Sequence, residues 1–373
     1  MNAEWGRTAF EDCIEKVVYT QKIQRKDFLD EGAFPVVSQE EAFINGYWNN
    51  EQDLFKIETP VVVFGDHTKV LKLIDFDFVL GADGVKILQP REFLVPKFFY
   101  YQLLSVDLDS LGYARHYKLL KDLDIVYPDL PEQKRIVGIL DKAFEGIAIA
   151  KANAETNLQN AQGLFDSCLN SVFAHRGNGW ESKMLGEILQ KTETVNPLQE
   201  PQREFDYIDV SSVSNKTFQI EATQRLKGRE APSRARKQVR ANDVIFATIR
   251  PTLQRIAIVP GHLDNQICST GYFVLRPISG IDHRFVFFSL FSESFTRQMT
   301  KLQKGANYPA VTDSDVKAQV ILVPSFSIQQ REVARLESLF AETKRLKSVF
   351  LRKLDELEAL KKSLLHQAFK GAL

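Results

Sequence analysis

The feature that most limits how this chain can fold is a segment that occurs twice. Residues 130–144 have the sequence LPEQKRIVGILDKAF, and residues 326–340 have the sequence FSIQQREVARLESLF. The two copies are related by a shift of 196 residues, which aligns Gln133 with Gln329. The match continues without a gap for about 45 residues, which indicates an internal duplication. The fold must therefore contain two equivalent segments.

Both copies are predicted to be long helices. No proline interrupts residues 132–176 or 328–373, and the good helix formers Ala, Leu, Glu, Lys, Gln and Arg dominate both. Apolar residues recur at steps of three and four, which is typical of the apolar seam of a coiled coil. The seam comprises Val137, Leu140, Phe144, Ile147, Ala154, Leu158, Ala161, Phe165, Cys168 and Val172 in the first copy, and Val333, Leu336, Phe340, Phe350, Leu354, Leu357, Leu364 and Ala368 in the second.

An apolar seam of this length requires a partner. Each helix would contain roughly 40 residues and extend about 60 Å. We expect the two helices to pack on each other. Lys151 and Lys347 would occupy matching positions within the seam, where a polar residue sets the register. The alternative is that each helix packs on its own globular domain.

The rest of the chain repeats more weakly. The aligned pairs are Trp5 with Trp180, 61–66 (VVVFGD) with 244–249 (VIFATI), 81–90 (GADGVKILQP) with 268–277 (CSTGYFVLRP), and 97–105 (KFFYYQLLS) with 284–292 (RFVFFSLFS). Each part combines short strands rich in Val, Ile and Phe with a helix near its end and polar loops. Each is therefore predicted to be a mixed α/β globule.

The order of these segments predicts the fold class, which is α+β. Two similar mixed α/β globular domains are joined by two long antiparallel coiled-coil helices and related by a pseudo-twofold axis. The predicted domains are 1–128 for the first globule, 129–178 for the first helix, 179–326 for the second globule and 327–373 for the second helix. Antiparallel pairing is preferred because parallel helices would need a connection that returns over the whole helix length.

Composition and motif content narrow the class of protein. No apolar run reaches the roughly 18 residues that span a bilayer, and the first residues lack the pattern of a signal peptide. We therefore expect no membrane association and a cytoplasmic location. The three cysteines are far apart, as is typical of reduced thiols. No histidine lies at metal-ligand spacing, so neither a metal nor a cofactor site is predicted in this chain.

Charge is distributed unevenly along the chain. The 48 basic and 48 acidic residues give a net charge of zero, but residues 1–128 carry 14 basic and 21 acidic residues, a net charge of −7. The second half is mildly basic.

Two globules that are similar but not identical, held a fixed distance apart, suit a regular lattice such as B-DNA, whose helical turn is about 34 Å. The unlike heads predict an asymmetric target in two parts.

Local clusters of basic and polar residues indicate where DNA would be contacted. In the densest cluster, residues 225–255, arginines and lysines would neutralise phosphates, and arginine can also bond guanine edges. The alternatives are a solvated surface loop here and a plain β-turn at GANYPAV, residues 305–311. The candidate residues are Arg234, Arg236, Lys237, Arg250, Arg255, Lys304, Asn307 and Tyr308 in the second globule, and His67, Thr68, Lys69, Arg115, His116, Tyr117 and Lys118 in the first.

The duplicated helices, the Trp-led globules and two further stretches together resemble a known family. These stretches are NDVIFATIRP, residues 242–251, and STGYFVLRP, residues 269–277. In their order and duplication they resemble the specificity (S) subunit of type I restriction–modification enzymes, over essentially the whole chain. The resemblance implies two target-recognition domains that each read one half of a bipartite DNA site. It also implies spacer helices on which two DNA-methyltransferase subunits dock, and motor–nuclease restriction subunits in the larger complex.

The resemblance places S-adenosylmethionine on the methyltransferase subunits, and no cofactor on this chain. The acidic first globule departs from the expected role in DNA contact. No P-loop, amino-methyltransferase turn or nucleophile elbow occurs in the sequence. We therefore expect a non-catalytic, sequence-specific DNA-binding subunit that recruits methyltransferase and restriction subunits. The alternative is a scaffold that binds no DNA and carries two protein-binding heads on a coiled-coil spacer.

Overall fold

The chain folds into two units. The structure, a computed structural model, describes residues 5–108, 114–174 and 179–373. Unit 1 comprises residues 1–155 and 351–373, and unit 2 comprises residues 156–350. Each unit therefore contains one globule together with parts of both long helices.

The first globule contains ten strands and two helices among its described residues. They are β1 (Gly6–Ala9), β2 (Lys22–Ile23), β3 (Phe34–Val37), β4 (Gly46–Trp48), β5 (Leu54–Phe55), β6 (Val61–Gly65), β7 (Leu71–Ile74), β8 (Phe78–Gly81), β9 (Val85–Leu88), α1 (Pro96–Ser105), α2 (Tyr117–Lys121) and β10 (Asp124–Tyr127). The first long helix follows as α3 (Leu130–Ala174).

The second globule and the second long helix follow the same plan. Their elements are β11 (Glu181–Met184), β12 (Glu204–Ile208), β13 (Gln224–Lys227), β14 (Ala235–Gln238), β15 (Val244–Ala247), β16 (Ile256–Ile258), β17 (Ile267–Ser269), β18 (Tyr272–Leu275), α4 (His283–Ser289), α5 (Glu293–Leu302), α6 (Asp313–Lys317), β19 (Val320–Val323) and α7 (Phe326–Phe369).

Equivalent sheets form in the two globules. An antiparallel pair, β1 with β10 or β11 with β19, joins the start of each globule to its end. A three-stranded antiparallel sheet has the order β7-β6-β9 in the first globule and β16-β15-β18 in the second. A mixed sheet has the order β2-β8-β3-β4, with β5 also on β8, in one globule, and β13-β12-β17-β14 in the other. The weak sequence repeats therefore correspond to real structural equivalences, such as β6 with β15 and α1 with α4.

The two long helices pair in antiparallel fashion. In unit 1 the ammonium of Lys361 on α7 lies 5.5 Å from the ring of Phe144 on α3. In unit 2 the rings of Phe165 on α3 and Phe340 on α7 lie 5.3 Å apart. A step of 21 residues forward along α3 thus corresponds to a step of 21 residues back along α7. The predicted α+β fold class with paired antiparallel helices is confirmed.

Each globule also completes its core with residues of both helices. In unit 1 the buried residues Ile136 and Leu140 of α3 join Leu365 and Ala368 of α7 in one apolar cluster with α1. In unit 2 the buried core likewise combines residues from the end of α3 with residues from the start of α7, namely Leu169, Val172, Phe173, Val333 and Leu336. Each long helix therefore packs on a globule, and the two helices also pack on each other. Both of the expected arrangements occur together.

One buried glutamine at the start of each long helix joins helix to globule. The side-chain oxygen of Gln133 accepts from the backbone N–H of Val95, 2.8 Å away, immediately before α1. Its amide nitrogen donates to the carbonyls of Phe93 and Pro128, both at 2.9 Å. Because three backbone groups would otherwise be buried without a partner, the amide satisfies a demand that no apolar side chain could meet.

Gln329 repeats this arrangement in unit 2. Its oxygen accepts from the N–H of Asp282, 2.9 Å away, immediately before α4. Its nitrogen donates to the carbonyls of Gly280 at 3.2 Å and Pro324 at 2.9 Å. The duplicated sequence is therefore explained by a docking geometry that both globules need.

An ion pair about two helical turns after the buried glutamine also repeats in both long helices. Lys97 on α1 lies 2.8 Å from Asp141 on α3, and Arg284 on α4 lies 3.2 Å from Glu337 on α7. Both pairs are partly exposed, so each adds orientation more than stability.

The prediction that Lys151 and Lys347 lie within the helix seam is wrong. Both side chains are exposed, so neither lies inside the helix seam. The three-and-four spacing alone could not separate the seam from the flanking positions of the same helix, because long lysines can border an apolar stripe.

None of the helices in the described part of the chain has the length and apolar character that a membrane span requires.

Replacing Gln133 tests the docking glutamine. We expect Gln133→Leu to lower the free energy of unfolding by about 2–3 kcal/mol, because three buried backbone groups lose their partner. Urea denaturation followed by circular dichroism measures this change. Gln159→Leu, at an exposed position of the same helix, serves as the control and should shift the unfolding free energy by about 0.5 kcal/mol at most. Equal stability of the two variants would contradict the docking role.

Candidate nucleic-acid interface

In unit 1, the structure brings the two predicted segments of the first globule together at Asp66. This residue is 2% exposed and directly follows β6. Its carbonyl accepts from the backbone N–H of His116 at 2.7 Å, and its carboxylate accepts from the N–H of Tyr117 at 2.8 Å. The segments His67 to Lys69 and Arg115 to Lys118 therefore lie side by side, although they are far apart in the sequence.

Hydrogen bonds with Gln39 hold the turn after β6 in place. The Thr68 hydroxyl donates to the Gln39 carbonyl at 2.5 Å, and the Gln39 side-chain oxygen accepts from the N–H of His67 at 3.2 Å. A side chain at Gly65 would meet the Thr68 hydroxyl at 2.2 Å, so only glycine permits this turn. The ammonium of Lys69 donates to the Leu108 carbonyl at 3.0 Å.

The segment that carries Gln39 is itself held by a buried lysine. Lys72 is 4% exposed, and its ammonium donates to the carbonyls of Ser38 at 3.0 Å and Ala42 at 2.5 Å and to the Asn45 side chain at 3.1 Å. Burial lowers the pKa of Lys72 to about 8. The carbonyl oxygens around the ammonium favour its charged form. Lys72 therefore supports the surface from inside the globule.

The predicted residues of the first globule differ in exposure. Arg115 and Lys118 are exposed, whereas His116 is 1% exposed and faces the interior. Tyr117 packs edge-on against Phe10, and burial, the largest cause, raises its pKa. His116 and Tyr117 therefore organise the surface, while the two cations are available to a partner.

In unit 2, Arg250 and the 304–310 loop form one exposed projection, here called the Arg250 tip. Arg250 has a left-handed backbone, with φ of 50°, and its N–H donates to the Pro309 carbonyl at 2.6 Å. Its guanidinium lies 5.1 Å from the ring of Tyr308, which is 72% exposed. Lys304 and Asn307 are exposed in the same loop. An exposed aromatic ring under a guanidinium is suited to contacts with bases and phosphates.

Arg234 directly precedes β14 and lies beside the turn between β17 and β18. Its carbonyl accepts from the N–H of Thr270 at 2.8 Å, while its side chain is exposed and makes no hydrogen bond or ion pair within the described chain. Arg236 is half-buried, and its guanidinium donates to the carbonyl of Ala235 at 3.1 Å. Arg234 is thus the more accessible of the two.

Lys237 and Arg255 make internal contacts. The ammonium of Lys237 donates to the Asp313 carboxylate at 2.7 Å and to the Tyr272 carbonyl at 2.6 Å, with 18% of the side chain exposed. The guanidinium of Arg255 donates to backbone carbonyls in the 210–213 turn. Both cations were candidates for phosphate contact, and both are placed where they hold the globule together.

Acids also neutralise much of the basic stretch 225–255. Arg225 lies 3.0 Å from Asp206, and Arg240 lies 2.6 Å from Glu193. Glu193 in turn pairs with Arg276, whose guanidinium makes two hydrogen bonds to buried Asp243 at 2.9 and 2.8 Å. The positive surface is therefore narrower than the sequence predicts and centres on Arg234 and the Arg250 tip.

The same corner of the fold carries the candidate surface in both globules. In unit 2 the Thr248 carbonyl, after β15, accepts from the N–H of Val311, before α6, at 2.9 Å. This bond is equivalent to the contact of Asp66 with His116 in unit 1. Both globules thus join the loop after the central strand of the three-stranded sheet to the loop before the short helix.

Sequence reasoning missed two cations of this corner in unit 1. The ammonium of Lys22 donates to the carbonyl of Val85 at 3.1 Å, and the ammonium of Lys86 lies 5.2 Å from the Tyr117 ring. Burial, and then the nearby charges of Lys86 and Arg115, lower the pKa of Lys22. No local run of basic residues marks either lysine, because strand pairing brings them together.

Within residues 5–108, 114–174 and 179–373, no group of three or more His, Cys, Asp or Glu side chains is arranged to hold a metal ion. Burial raises the pKa of Cys13 to about 11 and that of Cys268 to about 12. Both thiols are therefore protonated at neutral pH.

Comparison with known proteins gives a family match. The sequence model of the type I restriction modification DNA specificity domain (Methylase_S) matches residues 177–356. The chain is 28% identical over 180 residues to the Escherichia coli EcoR124I/EcoR124II specificity subunit, which covers 44% of this chain and 43% of that protein. It is 27% identical over 106 residues to the Haemophilus influenzae HindI specificity subunit, covering 28% and 23%. The chain thus matches less than half the length of each of these relatives.

Solved structures extend the similarity of fold. A chain from a study of complex assembly and conformational transition of the type I R-M system covers 99% of this chain and 98% of its own length, with a TM-score of 0.72 and 16% identity. The HsdS subunit from Thermoanaerobacter tengcongensis is 38% identical over 49% of this chain and 48% of its own, with a TM-score of 0.45. The resemblance based on residues 242–251 and 269–277 is confirmed, because both stretches lie within the family match.

Comparing Arg234 with Lys237 tests the division between exposed and internal cations. We expect Lys237→Met to lower the unfolding free energy by about 1–2 kcal/mol, because its acceptors lose a charged donor. Arg234→Gln should change that free energy by about 0.5 kcal/mol at most but reduce the salt dependence of duplex binding by about 0.9 in log–log slope. Denaturation and fluorescence anisotropy titrations measure the two effects. A reduced slope only for Lys237→Met would reverse the assignment.

Proposed function

We propose that the chain is the DNA-reading subunit of a type I restriction–modification enzyme, because the sequence model of the type I restriction modification DNA specificity domain matches its residues 177–356. It binds double-stranded DNA by sequence and holds partner subunits on its helices. The observation that carries the proposal is that the family match contains the whole Arg250 tip and Arg234. The exposed Arg234 and the Arg250 tip therefore lie in a domain type named for DNA specificity.

The target is an asymmetric sequence in two parts. The two globules have equivalent folds, but their exposed corners carry different candidate residues. Unit 2 presents Arg250 stacked on Tyr308, whereas unit 1 presents Arg115 and Lys118 beside a buried histidine. Equivalent frames with unlike contact residues support two half-sites of different sequence. In this proposal the domains are 1–128 and 179–326 for recognition, and 129–178 and 327–373 for spacing.

The chain itself is non-catalytic, and its partners supply the chemistry. Two DNA-methyltransferase subunits, which carry S-adenosylmethionine, and motor–nuclease subunits complete the enzyme in the cytoplasm. Equivalent apolar side chains are exposed at matching positions of both helices, which supports a partner that binds twice. Leu130 and Phe326, the first residues of α3 and α7, are 40% and 44% exposed, and Leu164 and Leu360 are 62% and 48% exposed.

The central test is sequence-specific binding. Sequencing of modified bases in cells that express the chain with its methyltransferase subunit should give a split target, and the purified complex should bind that duplex more tightly than a scrambled one. Arg250→Gln should weaken binding about tenfold and relax specificity in one half-site only, because one charged contact is lost.

Arg229→Gln is the matched control, because Arg229 is an exposed arginine that lies 3.5 Å from Glu230. It should leave both half-sites unchanged. Binding that is indifferent to sequence in every preparation would overturn the proposal and favour a scaffold whose heads bind proteins only.

The exposed leucines test the two-partner arrangement. We expect Leu164→Glu to remove one bound methyltransferase subunit and the double variant Leu164→Glu/Leu360→Glu to remove both, because a charge replaces an apolar contact at each equivalent site. Native mass spectrometry of the purified complex counts the subunits. Asn157→Glu, at an exposed position of α3, is the control and should retain both. Full occupancy in the double variant would exclude these leucines from the docking surface.

A further inference from the structure

Three cations from separate segments converge at one corner of unit 1, here called the Lys22 corner: Lys22 on β2, Lys86 on β9 and Arg115 before α2. The ammonium of Lys22 donates to the carbonyl of Val85, next to Lys86 in sequence. Burial first, and then the charges of Lys86 and Arg115, lower the pKa of Lys22, while the nearby acids Asp83 and Asp66 raise it. Like charges that approach each other in this way are costly unless an anion joins them.

Aromatic rings and a strand edge hold these cations in place. The ammonium of Lys22 lies 4.9 Å from the ring of Tyr19, whose hydroxyl accepts from the backbone N–H of Ile87 at 3.1 Å. The ammonium of Lys86 lies 5.2 Å from the ring of Tyr117. Tyr19 and Lys22 therefore satisfy outward-facing backbone groups of β9. The cations are oriented before any ligand arrives, which reduces the entropy cost of binding.

The acids at the corner offset only part of the charge of the three cations. Asp66 also faces Lys22, but its carboxylate accepts from the backbone of Tyr117 and is 2% exposed. Asp83 is exposed and makes no ion pair among the described residues. Beyond Tyr117, Lys121 pairs with Glu11 at 2.6 Å. Buried Asp66 and exposed Asp83, whose charge acts on Lys22 more strongly than that of Arg115, thus oppose three cations, which leaves the corner with a net positive charge.

The equivalent corner of unit 2 is built differently. Phe273 stands in place of Lys86, and Asp313, the first residue of α6, stands in place of Tyr117, the first residue of α2. There the ammonium of Lys237 pairs with Asp313 at 2.7 Å and lies 6.0 Å from the Phe273 ring. The acid that closes the corner in unit 2 is therefore replaced in unit 1 by a tyrosine, which leaves the positive charge open.

We propose that the Lys22 corner binds a phosphate of the DNA backbone, with Lys22, Lys86 and Arg115 as its donors. The inference rests on the proposed function and adds the site by which the acidic half of the chain holds the duplex. Lys22 has donors left after its bond to Val85, and Arg115 offers a planar fork suited to two phosphate oxygens. The net charge of −7 over residues 1–128 is thus compatible with DNA contact, because the positive charge is concentrated at one corner.

Salt-dependent binding of full-length variants tests the site. Lys86→Gln and Arg115→Gln, prepared in the complex with the methyltransferase subunits, should each weaken duplex binding about tenfold. The double variant should lower the log–log salt slope by about 0.9, the contribution of one phosphate. Lys56→Gln is the matched control, because Lys56 is an exposed lysine of unit 1 paired with Glu51, and it should keep the slope of the original chain.

A scan with methylphosphonate, which removes the charge of one backbone phosphate at a time, locates the contact. The original chain should lose affinity at one position near the half-site that survives Arg250→Gln, and Lys86→Gln should be insensitive there. The inference would be overturned by an unchanged salt slope in the double variant, or by a scan that remains equally sensitive in Lys86→Gln. Sequence-specific binding by the original chain would then still support the proposed function. A flat scan accompanied by competition from inorganic phosphate at constant ionic strength would mean that the corner binds free phosphate, and would also overturn it.

Discussion

The structure depends above all on one buried amide at the start of each long helix. Gln133 and Gln329 each bond three backbone groups that lie between a globule and the helix that follows it. Such a group is more directional than apolar contact, because three fixed partners define both the position and the rotation of the helix. The globule is therefore attached to its helix in a defined orientation. This constraint explains why the duplicated sequence is strongest here, while the globules have diverged around it.

The two globules differ in their side chains at the corner where the loop after β6 or β15 meets the loop before α2 or α6. Main-chain hydrogen bonds preserve the frame in both units. The side chains on that frame differ in charge and in pairing, as the change from Tyr117 to Asp313 illustrates. Because main-chain bonds are indifferent to the side chains they carry, such a corner can change its contacts without losing its fold. That property suits the role proposed for this corner, the recognition of unlike sequences by the two units.

The sequence was sufficient to predict the duplication, both long helices, their antiparallel pairing and the equivalence of β6 with β15. These features follow from local periodicity and from alignment of the chain with itself. It was insufficient to predict which cations are exposed. Arg225, Arg240 and Lys237 occur in a basic stretch, yet their partners Asp206, Glu193 and Asp313 come from other elements. Lys22 and Lys86 had no local signal for the same reason: tertiary pairing determines their neighbours. Lys151 and Lys347 show that a repeat can conserve a position without burying it.

The core of the first globule has a consequence for how the chain is made. Leu365 and Ala368 are buried in the apolar cluster that also contains Phe10 and Phe98, and the ring of Phe369 lies 5.1 Å from that of Phe98. During synthesis, residues near the start of the chain leave the ribosome long before residues 365–369 do, at a typical rate of about 5–20 residues per second. The packing of the first globule is therefore complete only after residues 365–368 have been made, whereas the end of α3 is already available when the second globule folds.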